Sequence, residues 1–299
     1  MNMNRLNHLL AAILLGGTLA LPAQAALAAG QQSFATPEAA MEAFGNAVID
    51  SDEAALQAMF GANFRQLIPP TGAELRYEFI EAWAKSHKIE PDGEGQARIA
   101  AGLKGWTLPI PLVKTASGWR FDMKAGMDEI AIRAIGRNEL AAIQVAKAYA
   151  DAQREYIASD RNADGVPEYA QKIASSAGKM DGLYWPTNAN EEPSPLGRRL
   201  ADAAAEKGRK PGSYHGYSYR ILTAQGPDAP GGARSYIADG RMTGGFGLVA
   251  WPTSYGKSGI MSFMINQDGQ VYEKNLGAGT AAQAAKNFQP GCNMAESHG

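Results

Sequence analysis

Residues 138 to 169, NELAAIQVAKAYADAQREYIASDRNADGVPEY, constrain this chain more than any other stretch. Leu140, Ile143, Val145, Ala148 and Tyr149 recur at near-helical spacing, with Asp151, Arg154 and Glu155 on the polar side. That spacing predicts a long amphipathic helix with one face to bury. The helix then empties into an acidic turn, Asp160-Arg161-Asn162-Ala163-Asp164-Gly165. Gly136 marks the expected joint before it.

The residues that follow turn to strand chemistry. A short helix, Tyr169 to Ser175, and another opened by Ser194-Pro195 are expected first. Tyr217, Tyr219 and Ile221 then alternate with Ser218, Arg220 and Leu222. Strands are expected at Phe246 to Trp251, Ile260 to Asn266 and Gln270 to Lys274, with Asp268-Gly269 as a tight turn. Short connections predict an antiparallel meander, and Ala281 to Phe288 a small closing helix.

Residues 31–135 read as a separate unit. Thr36 is placed to cap a helix with Pro37 at its first position, and Met41, Phe44 and Val48 follow at helical spacing. Asp50-Ser51-Asp52 interrupts; a second helix sets Leu56, Met59 and Phe60 on one side and stops near Gly61. A third, from Glu74 to His87, carries Phe79, Ile80 and Trp83. Strands are expected at Ala97 to Ala101, Trp106 to Val113 and Trp119 to Met123, the last two joined by the Ala116-Ser117-Gly118 turn.

The first 25 residues have the form of a secretory signal. Arg5 supplies the basic end, Leu9 to Leu21 the apolar run, and Ala23-Gln24-Ala25 an A-x-A cleavage site. An uncleaved anchor is the alternative, though the run is short of the roughly 20 residues a membrane helix needs. With Cys292 as the only cysteine, no internal disulfide can form, so the core must hold by packing. The formal charge of −2 gives no electrostatic reason to expect a nucleic-acid partner. A periplasmic or secreted location without a membrane span after cleavage follows.

The acidic turn is the one place where oxygen ligands fall at a recognised spacing. A calcium loop takes ligands from positions one, three, five, seven (a carbonyl) and nine, with Gly at six. Here these are Asp160, Asn162, Asp164, Val166 and Glu168, with Gly165 at six. Gln171 stands where the bidentate twelfth-position Glu belongs, so Ca²⁺ here would staple the turn and not catalyse. The competing reading is a solvated connector with Asp164 as a cap. No G-x-S-x-G occurs, and Gly256-Lys257-Ser258 lacks the first glycine of a phosphate loop, Trp251 standing in its place. His215 could pair with Asp239, and Asp181 or Glu273 with another carboxylate, but spacing alone brings none of them together. The glycines and aromatics of the C-terminal block, Trp251, Tyr255 and Gly244-Gly245 among them, serve turns or a recognition surface for a glycan or protein.

The segments IGRNELAAIQVAKAYADAQREY, DRNADGVPEYAQK, GKMDGLYWP, YHGYSYRILTAQGPDAPGGA, GRMTGGFGLVAWPTSYGKSG and FMINQDGQVYEKNLG closely resemble the bacterial family called domain of unknown function 2950. The resemblance implies an exported protein and transfers no catalytic residue. The helical hairpin followed by a sheet with G-W-R-F-D resembles the nuclear-transport-factor-2-like cone, whose pocket His87, Trp119 and Asp122 could line. The helix with N-E-x-x-A-I, the acidic D-G turn and Y-G-x-S-G before a D-G hairpin resemble the globular head of type II pseudopilins. Arg133, Arg137, Asn138 and Glu139 interrupt the apolar stalk such proteins need, so a head without assembly is implied.

The expectation is an α+β protein: signal at 1–25, a cone-like domain at 31–135, a helix-plus-sheet domain at 136–292 and a tail at 293–299. Its expected role is non-catalytic binding or scaffolding of an envelope protein or glycan. The alternative is an envelope hydrolase whose site is assembled from dispersed carboxylates and His215.

Overall fold

The computed structural model describes residues 30–62, 64–67, 70, 72–161, 164–187, 193–197, 213–227, 229, 231–280 and 295–296. The chain is α+β and divides into two compact units, Met1–Ala134 and Ile135–Gly299. The expected signal, the helix beyond Ser194-Pro195, the closing helix, Cys292 and the 293–299 tail lie outside the described residues, apart from 193–197 and 295–296.

The first unit opens with α1 (Pro37–Asp50), where Thr36 accepts from Ala39 N–H and Pro37 takes the first turn. A proline there removes a donor that has no helical partner anyway. Asp52 caps α2 (Glu53–Phe60) through Ala55 N–H. Then come α3 (Phe64–Leu67) and α4 (Ala73–Lys85). The sheet runs β1-β2-β4-β5, formed by His87–Pro91, Gln96–Ala101, Leu112–Thr115 and Gly118–Phe121; β3 (Trp106–Thr107) also pairs with β2. Pro109 and Pro111 explain why the single strand expected over 106–113 splits: a proline cannot donate to a ladder.

The core of the first unit is built on aromatic rings. Phe44 lies 5.7 Å from Phe79, 5.9 Å from Phe60, 6.0 Å from Phe121 and 6.2 Å from Trp83. Gly45 lets Trp83 approach, since a Cβ there would stand 2.3 Å from its ring.

The long helix α5 spans Met123–Ile157, 35 residues, and so starts a full four turns before the expected Asn138. Asp122 caps it through Ala125 N–H. Arg133 is held by Glu129 one turn back and by the Thr107 carbonyl and hydroxyl, an i,i+4 pair that supports the helix. Gly136 sits inside the helix.

The second unit lays the later turns of α5 on one face of a six-stranded sheet, order β15-β14-β13-β12-β7-β6. Its strands are Ala295–Glu296, Val271–Asn275, Met261–Asn266, Gly247–Pro252, Tyr217–Leu222 and Ser213–Tyr214, all antiparallel. Leu248, Ala250, Phe263, Ile265 and Val271 face Ala142, Ile143, Ala146, Tyr149 and Ala150 of the helix. Two small ribbons complete the unit: β8 (Ala224–Gln225) with β9 (Arg234–Ser235), and β10 (Ile237–Ala238) with β11 (Arg241–Met242).

The short helix expected from Tyr169 to Ser175 is absent. That segment is irregular and gives its backbone groups to distant partners instead. Tyr169 N–H donates to Met242 O, Leu183 N–H to Lys172 O, Tyr184 N–H to Ile173 O and Ser175 N–H to Tyr184 O. Long-range pairing has overridden a local preference.

Candidate functional site

The acidic turn begins where α5 ends. Asp160 receives Asp164 N–H at 3.3 Å on one oxygen and Gly165 N–H at 2.7 Å on the other. Asp164 receives Val166 N–H at 2.9 Å, and its second oxygen pairs with Arg241 of β11 at 2.5 Å. Gly165 takes φ of 83°, the left-handed region that glycine enters without steric cost. Asn162 lies outside the described residues.

In the calcium-loop reading, two of the five ligand positions, Asp160 and Asp164, are already engaged within the chain. Arg241 already neutralises Asp164. Gln171, at the twelfth position, donates to Gly240 O at 2.8 Å and is turned toward the β10–β11 hairpin. Among the described residues, no three His, Cys, Asp or Glu side chains group together. The guanidinium fills the role of a cation, tying the helix exit to the hairpin.

Behind the turn lies a group the sequence analysis missed. Gln153 is fully buried. Its Oε1 accepts Ala170 N–H at 2.8 Å, and its Nε2 donates to Ala170 O at 2.8 Å and to Tyr149 Oη at 2.9 Å. Tyr149 in turn donates to Gly247 O at 3.3 Å. One side-chain amide thus replaces a strand partner for Ala170, which itself is buried. Burial pushes the Tyr149 hydroxyl well above its ordinary range and keeps it a neutral donor. The available signal was an amide set between Ala152 and Tyr156 in the apolar stripe.

Farther along, Arg161 lies over the rings of Tyr156 at 5.2 Å and Trp185 at 4.9 Å. Asp181 receives Lys172 Nζ at 2.7 Å, Ser176 N–H at 2.7 Å and Ser176 Oγ at 3.0 Å. The lysine bond and then the backbone amide hold its carboxyl down at about 2. Lys172 also reaches Ser176 Oγ at 2.8 Å, which superficially makes a serine–lysine pair. Here Lys172 and Ser176 both donate to the Asp181 carboxylate. The trio is a cross-link.

The other nominated residues are also built into the fold. His215 is exposed, with φ of 48° ahead of Gly216 at 72°, and closes the two-residue turn between β6 and β7. Asp239 (φ 50°) and Gly240 (77°) close β10–β11 the same way. These are the left-handed pairs that a type I′ hairpin requires, so each residue is accounted for by its own turn. Glu273 lies opposite Phe263 on β14. His87 begins β1, stacked 4.4 Å over Trp83 and 3.4 Å from Glu42, and does not end a helix. Trp119 packs against the first core and Asp122 caps α5.

Two further features come from the N-E and Y-G-K-S-G motifs. Glu139 accepts both Ile260 and Met261 N–H, at 2.8 and 2.9 Å, and Asn138 donates to Ser258 O at 2.9 Å. The motifs therefore recognise each other, clamping α5 to the turn before β13. A small, partly enclosed void is lined by Leu222, Gln225, Tyr236, Met264, Asn266 and Tyr272. Its Gln225 already binds Gly232 O and Tyr236 Oη, and its Asn266 binds Asp268.

Fold and polar network define a two-unit α+β protein whose sequence motifs serve as internal clamps. The family model described as "Protein of unknown function (DUF2950)" matches residues 31–295, and the chain belongs to that family. No curated protein and no solved structure matches it, so the likenesses to the cone fold and the pseudopilin head carry no further argument. Among the described residues, no helix is long and apolar enough to cross a membrane.

Proposed function

We propose that this is an exported, non-catalytic binding or scaffold protein of the bacterial envelope. The observation that carries the reading is where its candidate chemical groups are engaged. Asp160 and Asp164 hold the helix exit, Asp181 holds Lys172 and Ser176, Glu139 holds two backbone amides, and His215 makes a turn. Such groups rigidify a scaffold, whereas catalysis needs an acid, base or nucleophile with substrate-facing lone pairs or protons. The A-x-A site after Leu21 supports export. Ca²⁺ enters this reading as a competitor of Arg241 for Asp164, at the millimolar affinities of loops with few ligands, about 10⁻⁴–10⁻³ M.

The test is export followed by capture. Cell fractionation should place a form beginning at Ala26 in the periplasm or medium, and in-cell cross-linking should recover a specific envelope protein or glycan. Retention of the full-length chain in the cytoplasm would overturn the export reading. Hydrolysis of cell-wall or envelope substrates that is lost in Asp181→Asn or His215→Asn would overturn the non-catalytic one.

A further inference from the structure

Among the described residues, no strand pairs with the outer edge of β1 in the first unit, and its residues are arranged to accept one partner in particular. Within the β1–β2 ladder, Gly102 N–H donates to Ser86 O and Asp92 N–H to Gln96 O, in the register that sets His87 opposite Ala101. The even-numbered residues therefore turn their backbone groups toward β2. Those of His87, Ile89 and Pro91 turn outward, and no described strand pairs with them. An edge like this is normally blunted by like charges or a proline. Pro91 does bound the strand, but the charges on it are of opposite sign. Lys88 and Glu90 share the exposed face, their side chains 64% and 41% accessible and 2.9 Å apart. Ile89 packs inward on the first core, and His87 is held by Trp83 and Glu42, so neither obstructs the edge.

We propose that this edge binds a second copy of the chain, β1 against β1 in antiparallel pairing centred on Ile89. That register is self-complementary in both backbone and charge. Ile89 exchanges two bonds with its counterpart, and each His87 N–H finds the partner's Pro91 carbonyl; proline's missing N–H removes only the reciprocal bond. Lys88 of each copy then stands across from Glu90 of the other. These are non-hydrogen-bonded positions, where side chains approach most closely. A strand of either single sign would repel its own copy, while +/− spacing by two residues invites it. The contact is small, below the roughly 1,200 Å² of a standard interface, so association is weak and concentration-dependent. This inference is independent of what the second unit binds.

The experiment is sedimentation velocity on the full mature chain, from about 1 μM to about 1 mM, with circular dichroism to verify folding. Wild type should self-associate across that range. Lys88→Glu and Glu90→Lys each set like charges across the two-fold and should weaken association roughly tenfold or more. The double variant K88E/E90K should restore it, and a mixture of the two single variants should form mixed dimers. Both positions are exposed, and either single variant carries the test if the other misfolds. A wild type that stays monomeric throughout, or single variants that associate as wild type does, would overturn the proposal.

Discussion

Replacing Gln153 should reveal how strongly the second unit depends on one side-chain amide. In Gln153→Leu, the Ala170 N–H and C=O each lose their partner at a position with 1% exposure. A buried backbone group left unpaired costs about 1–3 kcal/mol, so the pair should cost about 4 kcal/mol. Tyr149 keeps its bond to Gly247 and adds little. Against a total stability of about 5–15 kcal/mol, the loss is large, and at about 2–4 °C per kcal/mol Tm should fall by about 8–16 °C. Gln153→Glu sharpens the test. When protonated, the acid offers one acceptor and one O–H, matching Ala170 nearly as the amide does. When ionised, it cannot donate to Ala170 O and leaves a charge in the core. Burial raises the folded pKa above the unfolded value, so the stability is present below about pH 4. It declines as pH rises toward the folded pKa, because the native state binds the extra proton. Thermal melts across pH 4 to 8, with hydrogen exchange at Ala170, read both effects. A Leu variant within about 1 kcal/mol of wild type, or a Glu variant with no added pH dependence, would refute the reasoning.

Three further outcomes are expected. Asp181 has its carboxyl lowered by Lys172 and Ser176, so its contribution is present above about pH 4 and is lost as pH falls toward 2. Asp181→Asn should lack that acid-side loss in a melt series, a difference of at most about 1 kcal/mol because the pair is largely solvated. His215→Asn and His215→Gly should retain wild-type stability, since both residues accept the left-handed turn, whereas His215→Ala should cost about 1 kcal/mol; equal melting of all three would argue against the turn. Arg241→Gln should lower Tm by a few degrees in chelator and gain more from millimolar Ca²⁺ than wild type does. No calcium response in either protein would remove Ca²⁺ from the reading.

The sequence by itself determined the elements whose signals are local. Thr36-Pro37 opened the first helical hairpin through a cap that needs only neighbouring amides, Asp50-Ser51-Asp52 divided it, and Asp268-Gly269 set the β13–β14 turn. Alternation placed β7, and apolar runs bounded by turns placed β12, β13 and β14, within a residue or so, and the α+β class followed. The family was also legible, because its motifs are contiguous. What only tertiary structure decided is where distant groups meet. Gly136 reads as a break because glycine disfavours a helix by about 1 kcal/mol, yet α5 runs through it from Met123 to Ile157. Residues 169 to 175 have a helical pattern but find partners in Met242, Tyr184 and Gln153. The acidic turn reads as a cation site because ligand spacing is written in the chain. The counter-charge that the fold brings to it, Arg241, lies 77 residues away, a separation that no local pattern encodes.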